Sequence, residues 1–193
     1  WSTAEAEEAA KYGSEPGLIK VETIEKDGDG GVHPYGTDDR MVLGHSNPNW
    51  VLGFTNNFTY KGFDLSIHTM ARLGQMIQSD MLSRYTASDD ITVNQIAGTD
   101  YWTENNQGAY FPRPGSAKKQ SAYYSALTFV DGSFFKIKNI TLGYTLPTNL
   151  VKKAFMERVR FYATAYNPVI FCKSILKDTD PETGGSDAFP TYR

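Results

Sequence analysis

The amino-acid sequence predicts an all-β protein, in which long antiparallel strands form part of the wall of a transmembrane barrel. Residues from Phe63 to Leu73 alternate between an apolar and a polar side chain, which indicates a strand with one apolar face and one wet face. Strands of soluble domains usually have about 5–6 residues, whereas tilted strands of roughly 9–11 residues cross a bilayer. The connections are short at one end of the predicted strands and long at the other, which is typical of outer-membrane barrels.

Composition narrows the class of protein further. The chain has 193 residues, a net charge of −3 and a sequence pI of about 5.6, so it lacks the basic surface that a nucleic-acid partner requires. No run of about 18 apolar residues is present, which argues against a helical membrane span. Aromatic residues make up 13% of the chain, a share that suits interfacial girdles and also sugar-stacking surfaces. Cys172 is the one cysteine, so we expect a free thiol and no internal disulfide.

Residues 1–48 are predicted to form an extracellular loop with a short helix and an acidic turn. Ser2 and Glu5 have the spacing of a capping box, and an alanine- and glutamate-rich stretch follows as far as Lys11. Gly13 supplies the expected stop signal just beyond it. We therefore expect one short helix at the start of this region.

The acidic turn of this loop resembles the beginning of a calcium-binding loop. Glu25, Asp27 and Asp29 alternate ahead of Gly30, and alternate carboxylates of this kind converge on a hard cation. Asp38 lies just beyond the place where the closing ligand is needed. Two readings stay open: a Ca²⁺ ion held by these four carboxylates, or a solvated acidic turn with no cofactor.

Residues 49–74 are predicted to form a hairpin of two long strands around the polar corner at Lys61 and Gly62. A charge on the lipid side at mid-membrane costs roughly 2–4 kcal/mol, so the polar parity of the second strand must face inward. The wall residues that we expect on the lumen side are Asp64, His68 and Arg72.

Residues 75–126 are predicted to form a long extracellular loop, and loops of this length are usually functional. Several aromatic residues lie in it beside asparagine and glutamine, a mixture that suits a polar ligand with apolar faces, such as a sugar. The candidates for substrate contact are Tyr101, Trp102, Tyr110 and Phe111. The alternative is that these rings anchor the loop on itself.

Residues 127–167 are predicted to form a second hairpin, with strands over 133–146 and 158–167. The apolar parity changes phase near Lys138 and Asn139, which predicts a β-bulge. Pro168 is expected to end the last strand, and residues 168–193 to form another extracellular loop. Four strands cannot close a barrel, since the smallest needs about eight. We therefore expect both ends of the chain, Trp1 and Arg193, to be cuts in a longer protein.

An ordered set of segments resembles the C-terminal part of the SusC/RagA class of TonB-linked outer-membrane transporters of Bacteroidetes. The strand SFFKIKNITLGYTLP, at residues 133–147, is the most specific of them. The matching segments are residues 9–13, 16–17, 19–20, 27–30, 44–48, 53–66, 131–147, Asn167 and 180–182.

The resemblance implies a barrel of about 22 strands with an N-terminal plug, located in the outer membrane of a Gram-negative bacterium. It implies a transporter and not an enzyme, which imports oligosaccharides or peptides. The implied partners are a SusD-like surface lipoprotein and the TonB energising complex, which acts through regions upstream of this chain. It also implies a further short strand after Arg193.

Two other classes of protein fit parts of the sequence. A soluble carbohydrate-binding β-sandwich would account for the aromatic residues and the acidic turn. A glycosidase fragment would need a pair of carboxylates across a cleft, and the spacing singles out no such pair. The histidines, His33, His45 and His68, lie apart in the sequence and indicate no catalytic cluster.

Overall fold

The computed structural model describes residues 1–21, 40–86, 96–116, 121–176 and 179–185. The chain divides into two compact units. One contains Trp1–Gly44, Gln78–Val130 and Gly185–Asp187, and the other His45–Ile77, Asp131–Gly184 and Ala188–Arg193. Within the described residues, no helix is long and apolar enough to span a bilayer.

The described part of the chain forms strands, short helices and 3₁₀ turns. The strands are β1 (Trp50–Tyr60), β2 (Phe63–Leu73), β3 (Met76–Gln78), β4 (Phe129–Asp131), β5 (Phe134–Thr145) and β6 (Arg160–Cys172). The α-helices are α1 (Ala6–Lys11), α2 (Asp80–Thr86), α3 (Ser121–Tyr124) and α4 (Thr148–Val151). Short 3₁₀ turns cover Thr3–Glu5, Ser125–Thr128, Lys152–Ala154, Ser174–Leu176 and Pro181–Thr183.

The second unit is built on an antiparallel sheet in the order β1-β2-β5-β6. Strands β1 and β2 pair along their whole length, from Tyr60 against Phe63 to Trp50 against Leu73. Lys61 and Gly62 form the two-residue turn with φ of 45° and 89°, as the tight type I′ hairpin requires. The predicted hairpin and its long strands are confirmed.

A β-bulge lies where the phase of the apolar pattern changes. His68 pairs with Asn139 and Thr69 with Ile137, so Lys138 is an extra residue on β5. The extra residue keeps the apolar side chains of both halves of β5 on one face of the sheet. This bulge is the one predicted near Lys138 and Asn139.

The last strand runs beyond the proline that was expected to end it. Tyr166 pairs with Asn139 and Val169 with Ile137, so Asn167 and Pro168 bulge out of the ladder. Asn167 takes a positive φ of 49°, and Pro168, which has no N–H group, sits where no ladder hydrogen bond is needed. The expected strand end at residue 167 is therefore wrong, and β6 continues to Cys172.

The N-terminal helix of the first unit forms where the capping residues predict it. Glu5 Oε2 accepts hydrogen bonds from Ser2 N at 2.9 Å and from Ser2 Oγ at 2.8 Å. A small core of Trp1, Ala9 and Leu18 holds α1 in place. The amino group of Trp1 donates to the Leu18 carbonyl at 2.7 Å.

The hairpin turn generates a stability prediction. A Cβ atom at Gly62 would lie 2.8 Å from the Thr145 carbonyl oxygen, and its φ is positive. We expect Gly62→Val to destabilise the folded protein by about 1–3 kcal/mol. Gly53→Ala is the matched control, because nothing lies within 4 Å of its Cβ position. Thermal unfolding in detergent measures both variants; equal midpoints would contradict the prediction.

Candidate functional site

The sheet of the second unit has one apolar face. Cross-strand register brings alternate residues of all four strands to the same side, where large side chains such as Phe54 (57%) and Phe161 (63%) are exposed. Large apolar side chains on this face are Trp50, Leu52, Phe54, Phe58, Phe63, Leu65, Leu142, Phe161, Val169 and Phe171. A contiguous apolar surface of this kind marks contact with lipid or with another protein.

Aromatic rings border this apolar face at both ends. Phe63 and Tyr144 stack with ring centroids 4.4 Å apart near the Lys61 turn, and Phe135 and Phe171 lie 6.2 Å apart at the other end. The eight residue steps from Phe63 to Ala71, the partner of Phe135, cover about 26 Å along the strand at roughly 3.3 Å per residue. A tilt of roughly 40° shortens this to about 20 Å, close to the apolar band between aromatic girdles in outer-membrane barrels.

The opposite face is polar and carries the three predicted wall residues. His68 Nδ1 lies 2.8 Å from Thr55 Oγ1 on β1. Asp64 accepts a hydrogen bond from Arg160 Nε at 3.0 Å. Arg72 lies on the same face, at the other end of β2. The sheet thus places Asp64, His68 and Arg72 opposite the apolar face but does not bring them into one cluster, and their exposure to a lumen stays a prediction.

The Asp64–Arg160 ion pair crosses β5 above a glycine. Asp64 pairs in register with Gly143, which in turn pairs with Tyr162. A Cβ atom on Gly143 would lie 2.6 Å from the Asp64 carboxylate and 2.5 Å from the Arg160 guanidinium. The missing side chain therefore lets one ion pair join β2 to β6 across the strand between them.

Four charged residues form a cluster on the polar face that sequence analysis did not predict. We call it the lysine clamp: Lys136 and Lys138 of β5 with Asp180 and Glu182, which follow β6. Lys136 Nζ bonds Asp180 and lies 2.9 Å from Glu182 Oε2, while Lys138 Nζ lies 2.7 Å from Glu182 Oε1. The Asp180 side chain also accepts from the Glu182 backbone N–H at 3.0 Å, which fixes the 3₁₀ turn.

Burial makes the lysine clamp energetically important. Lys136 is 3% exposed, and its ammonium group is held by the carboxylates of Asp180 and Glu182. Burial disfavours the ionised form of Glu182 and by itself would raise its pKa. Hydrogen bonds from Lys138 and Lys136 outweigh this effect of burial and hold the pKa of Glu182 below its usual value of 4.5. The folded state therefore gains stability from this carboxylate above pH 4.5, and loses it as the pH falls through the lowered pKa.

The sequence gives one indication of the lysine clamp, although residue spacing does not show which carboxylates complete it. Lys136 and Lys138 flank Ile137 within a strand of membrane-spanning length, where a buried ammonium group requires a counter-charge. The counter-charges lie 44 residues further along the chain. Asp180 and Glu182 belong to one of the segments that carry the family resemblance.

The four predicted substrate-contact aromatics lie together in the first unit. Trp102 N donates to the Phe111 carbonyl at 2.8 Å, and Phe111 N donates to the Asp100 carbonyl at 3.0 Å. Tyr101 and Phe111 rings lie 6.2 Å apart, and Tyr110 packs edge-on against Phe111 at 4.9 Å. The residues 96–116 therefore fold back on themselves around these rings.

The structure does not support Trp102 and Phe111 as ligand contacts, because they are 9% and 4% exposed. Trp102 covers Gly17, whose Cβ position lies 2.9 Å from the ring. This burial fits the alternative in which the aromatics anchor the loop. Tyr110 is 44% exposed, and its hydroxyl donates to the Leu127 carbonyl at 3.1 Å. The Tyr101 hydroxyl donates to the Thr86 carbonyl at 3.1 Å, and burial raises the pKa of both tyrosines.

The predicted metal site lies outside the described residues, since Glu25, Asp27, Asp29 and Asp38 fall within residues 22–39. In the described part of the chain, no group of three or more His, Cys, Asp or Glu side chains is arranged to hold a metal ion.

Comparison with known proteins identifies relatives of one kind. TonB-dependent receptor P3 of Formosa agariphila is 27% identical over 157 residues, which are 81% of this chain and 15% of the relative. TonB-dependent receptor SusC of Bacteroides thetaiotaomicron is 28% identical over 173 residues, 88% of this chain and 16% of the relative. The chain thus spans about a sixth of the length of these relatives. No family model matches.

Solved structures of the RagAB peptide transporter share the fold. One matches with a TM-score of 0.62 and 25% identity, covering 82% of this chain and 18% of the other. Another, of the RagAB peptide importer in its closed-closed state, matches with a TM-score of 0.60 over 84% of this chain and 18% of the other.

Long antiparallel strands, a two-faced sheet and these relatives make the chain a relative of the TonB-dependent receptors. Within that class it is similar to SusC and to RagAB, which confirms the resemblance drawn from the ordered segments.

The two faces of β2 generate a prediction about assembly. Leu65 lies on the apolar face and Ser66 on the polar face. A charge in the apolar band is destabilising, by up to roughly 2–4 kcal/mol at its midplane, so Leu65→Arg should lower the amount of receptor in outer membranes, while Ser66→Arg should not. Immunoblots of outer-membrane fractions measure both variants. Equal amounts would refute the assignment of the faces.

The lysine clamp generates a second prediction. Lys136→Met leaves the buried Asp180 carboxylate without its cation, so we expect a loss of about 3–5 kcal/mol in the free energy of unfolding. Lys173→Met is the control, since Lys173 is 64% exposed and 3.9 Å from Asp131. Urea unfolding of the purified receptor measures both. A loss for Lys136→Met no larger than that of the control would show that the clamp does not stabilise the fold.

Proposed function

We propose that this chain supplies wall strands and outer loops to an outer-membrane importer that works with TonB. The observation that carries the proposal is the apolar face of four long strands, bordered by aromatic rings at both ends. In water, such a face would favour aggregation. In a bilayer, the same face would contact the hydrocarbon core of the membrane. The soluble β-sandwich alternative therefore loses support.

The sheet edges support a larger barrel. In the described part of the chain, β1 and β6 are each paired on one side only. Unpaired backbone groups cost several kcal/mol each in hydrocarbon, so neighbouring strands must complete both edges. We propose that the complete wall has about 22 strands, and that Asp64, His68 and Arg72 face its lumen.

The cargo and the partners follow from the relatives as proposals. The similar RagAB structures are those of a peptide importer and a peptide transporter. We propose oligosaccharides or peptides as cargo and a SusD-like surface lipoprotein as the partner that closes over the outer mouth. The task of this chain is then binding and passage of cargo, without catalysis. A Ca²⁺ ion at Glu25, Asp27, Asp29 and Asp38 stays a prediction.

Residues 75–126 would lie on the outer side of the membrane in this arrangement. Tyr110 is the most exposed aromatic residue of the predicted set, at 44%, and Trp102 and Phe111 would hold its loop in shape. We propose Tyr110, with Tyr101 beside it, as the part of this set that reaches cargo.

Uptake measurements test this proposal. A strain without the receptor should fail to grow on a subset of a panel of oligosaccharides and peptides, and the restored receptor should recover growth and fractionate with outer membranes. Recovery of the receptor from the soluble fraction would overturn the proposal.

Tyr110→Ala should raise the cargo concentration for half-maximal uptake several-fold, because each exposed ring contributes about 1 kcal/mol of contact. Phe155→Ala is the matched control, since that ring is 100% exposed in the connection between β5 and β6. If both variants take up cargo like the unmodified receptor, Tyr110 has no role in binding.

A further inference from the structure

We propose that a pocket at the turn end of the sheet binds the phosphate of an anionic phospholipid headgroup. The inference rests on the proposed function, because it requires that the apolar face lies in a bilayer. The pocket has a volume of about 490 Å³ and lies between the β1–β2 turn and the beginning of β6. Its lining includes Tyr60, Lys61, Phe63, Arg158 and Arg160.

The charges of the pocket favour an anionic ligand. Arg160 and Asp64 satisfy each other, with Nε 3.0 Å from a carboxylate oxygen. The lining carries three cations, Lys61, Arg158 and Arg160, against the single carboxylate of Asp64. The pocket therefore has an excess of two positive charges, which a phosphate group can balance.

The apolar neighbours of the pocket favour a lipid over a soluble anion. Tyr60 and Phe63 lie at the rim of the apolar face, where Lys61 Nζ sits 5.2 Å from the centre of the Tyr60 ring. Phe63 packs on Tyr144, and Leu65 and Leu142 continue the apolar surface from there. A phospholipid whose phosphate binds Lys61 and Arg158 would place its acyl chains along this surface.

The position of the charges also argues against an acidic peptide as the ligand. On the polar face, Asp64 already neutralises the Arg160 guanidinium. Lys61 instead extends beside an aromatic ring of the lipid-side rim, as basic side chains do when they reach the headgroup level from a membrane interface. The pocket therefore combines a charged site for the headgroup with an apolar path for the chains.

Lipid titration tests the inference. The full-length receptor is stripped of lipid in neutral detergent, and phosphatidylglycerol or phosphatidylcholine is added while native mass spectrometry counts the bound lipids. We expect phosphatidylglycerol to bind more tightly, and K61Q/R158Q to weaken its affinity about fivefold for each charge removed. K152Q/K153Q is the control, because it removes two charges outside the pocket from the β5–β6 connection that also carries Arg158.

Each outcome is decisive. Loss of affinity in K61Q/R158Q alone supports the pocket. Equal affinity in both double variants and the unmodified receptor overturns it, and so does an equal loss in both, which would indicate diffuse charge attraction. Displacement of the lipid by an equal concentration of inorganic phosphate overturns the lipid assignment. Outer-membrane fractionation tests the proposed function separately, so a membrane-located receptor with no lipid preference would refute this inference alone.

Discussion

The hydrogen-bonded register of the four long strands is the constraint on which the rest of the structure depends. Side chains alternate across a sheet, so a slip of one residue would exchange the two faces of a strand. The apolar pattern of β5 changes phase between Ile137 and Ile140, and without the extra residue at Lys138 half of that strand would turn its apolar side chains inward. The bulge at Lys138 is therefore what makes a continuous apolar face possible.

The same bulge has a second effect on the polar face. Lys136 and Lys138 both reach Glu182, and the paired charges hold the turn that follows β6 against the sheet. A buried ion pair is weak evidence for net stability, since desolvation offsets much of its attraction. Its clearer effect is on position, because Lys136 and Lys138 compensate the charges of Asp180 and Glu182 where these residues lie against the sheet.

Sequence reasoning predicted the features that depend on local pattern. Strand lengths, the Lys61–Gly62 turn, the bulge and the capped helix all follow from alternation, turn chemistry and capping. It failed where the outcome depended on residues far apart in the chain. The β6 extension past Pro168 requires pairing of Val169 with Ile137, and the burial of Trp102 depends on Gly17. The spacing of residues in the sequence does not reveal either partner. A single sequence shows on which face of a strand a residue lies, but not which distant segment covers that residue.

Gly143 constrains how β5 pairs with β2 and β6. The Asp64–Arg160 ion pair passes over β5 only where a strand residue has no side chain, and a shift of β5 by two residues would place Thr141 or Thr145 beneath it instead. Such a shift preserves the apolar and polar faces, so hydrophobicity alone would not reject it. Gly143 therefore disfavours a shift of β5 by two residues, a mispairing that the alternation of apolar and polar side chains would tolerate.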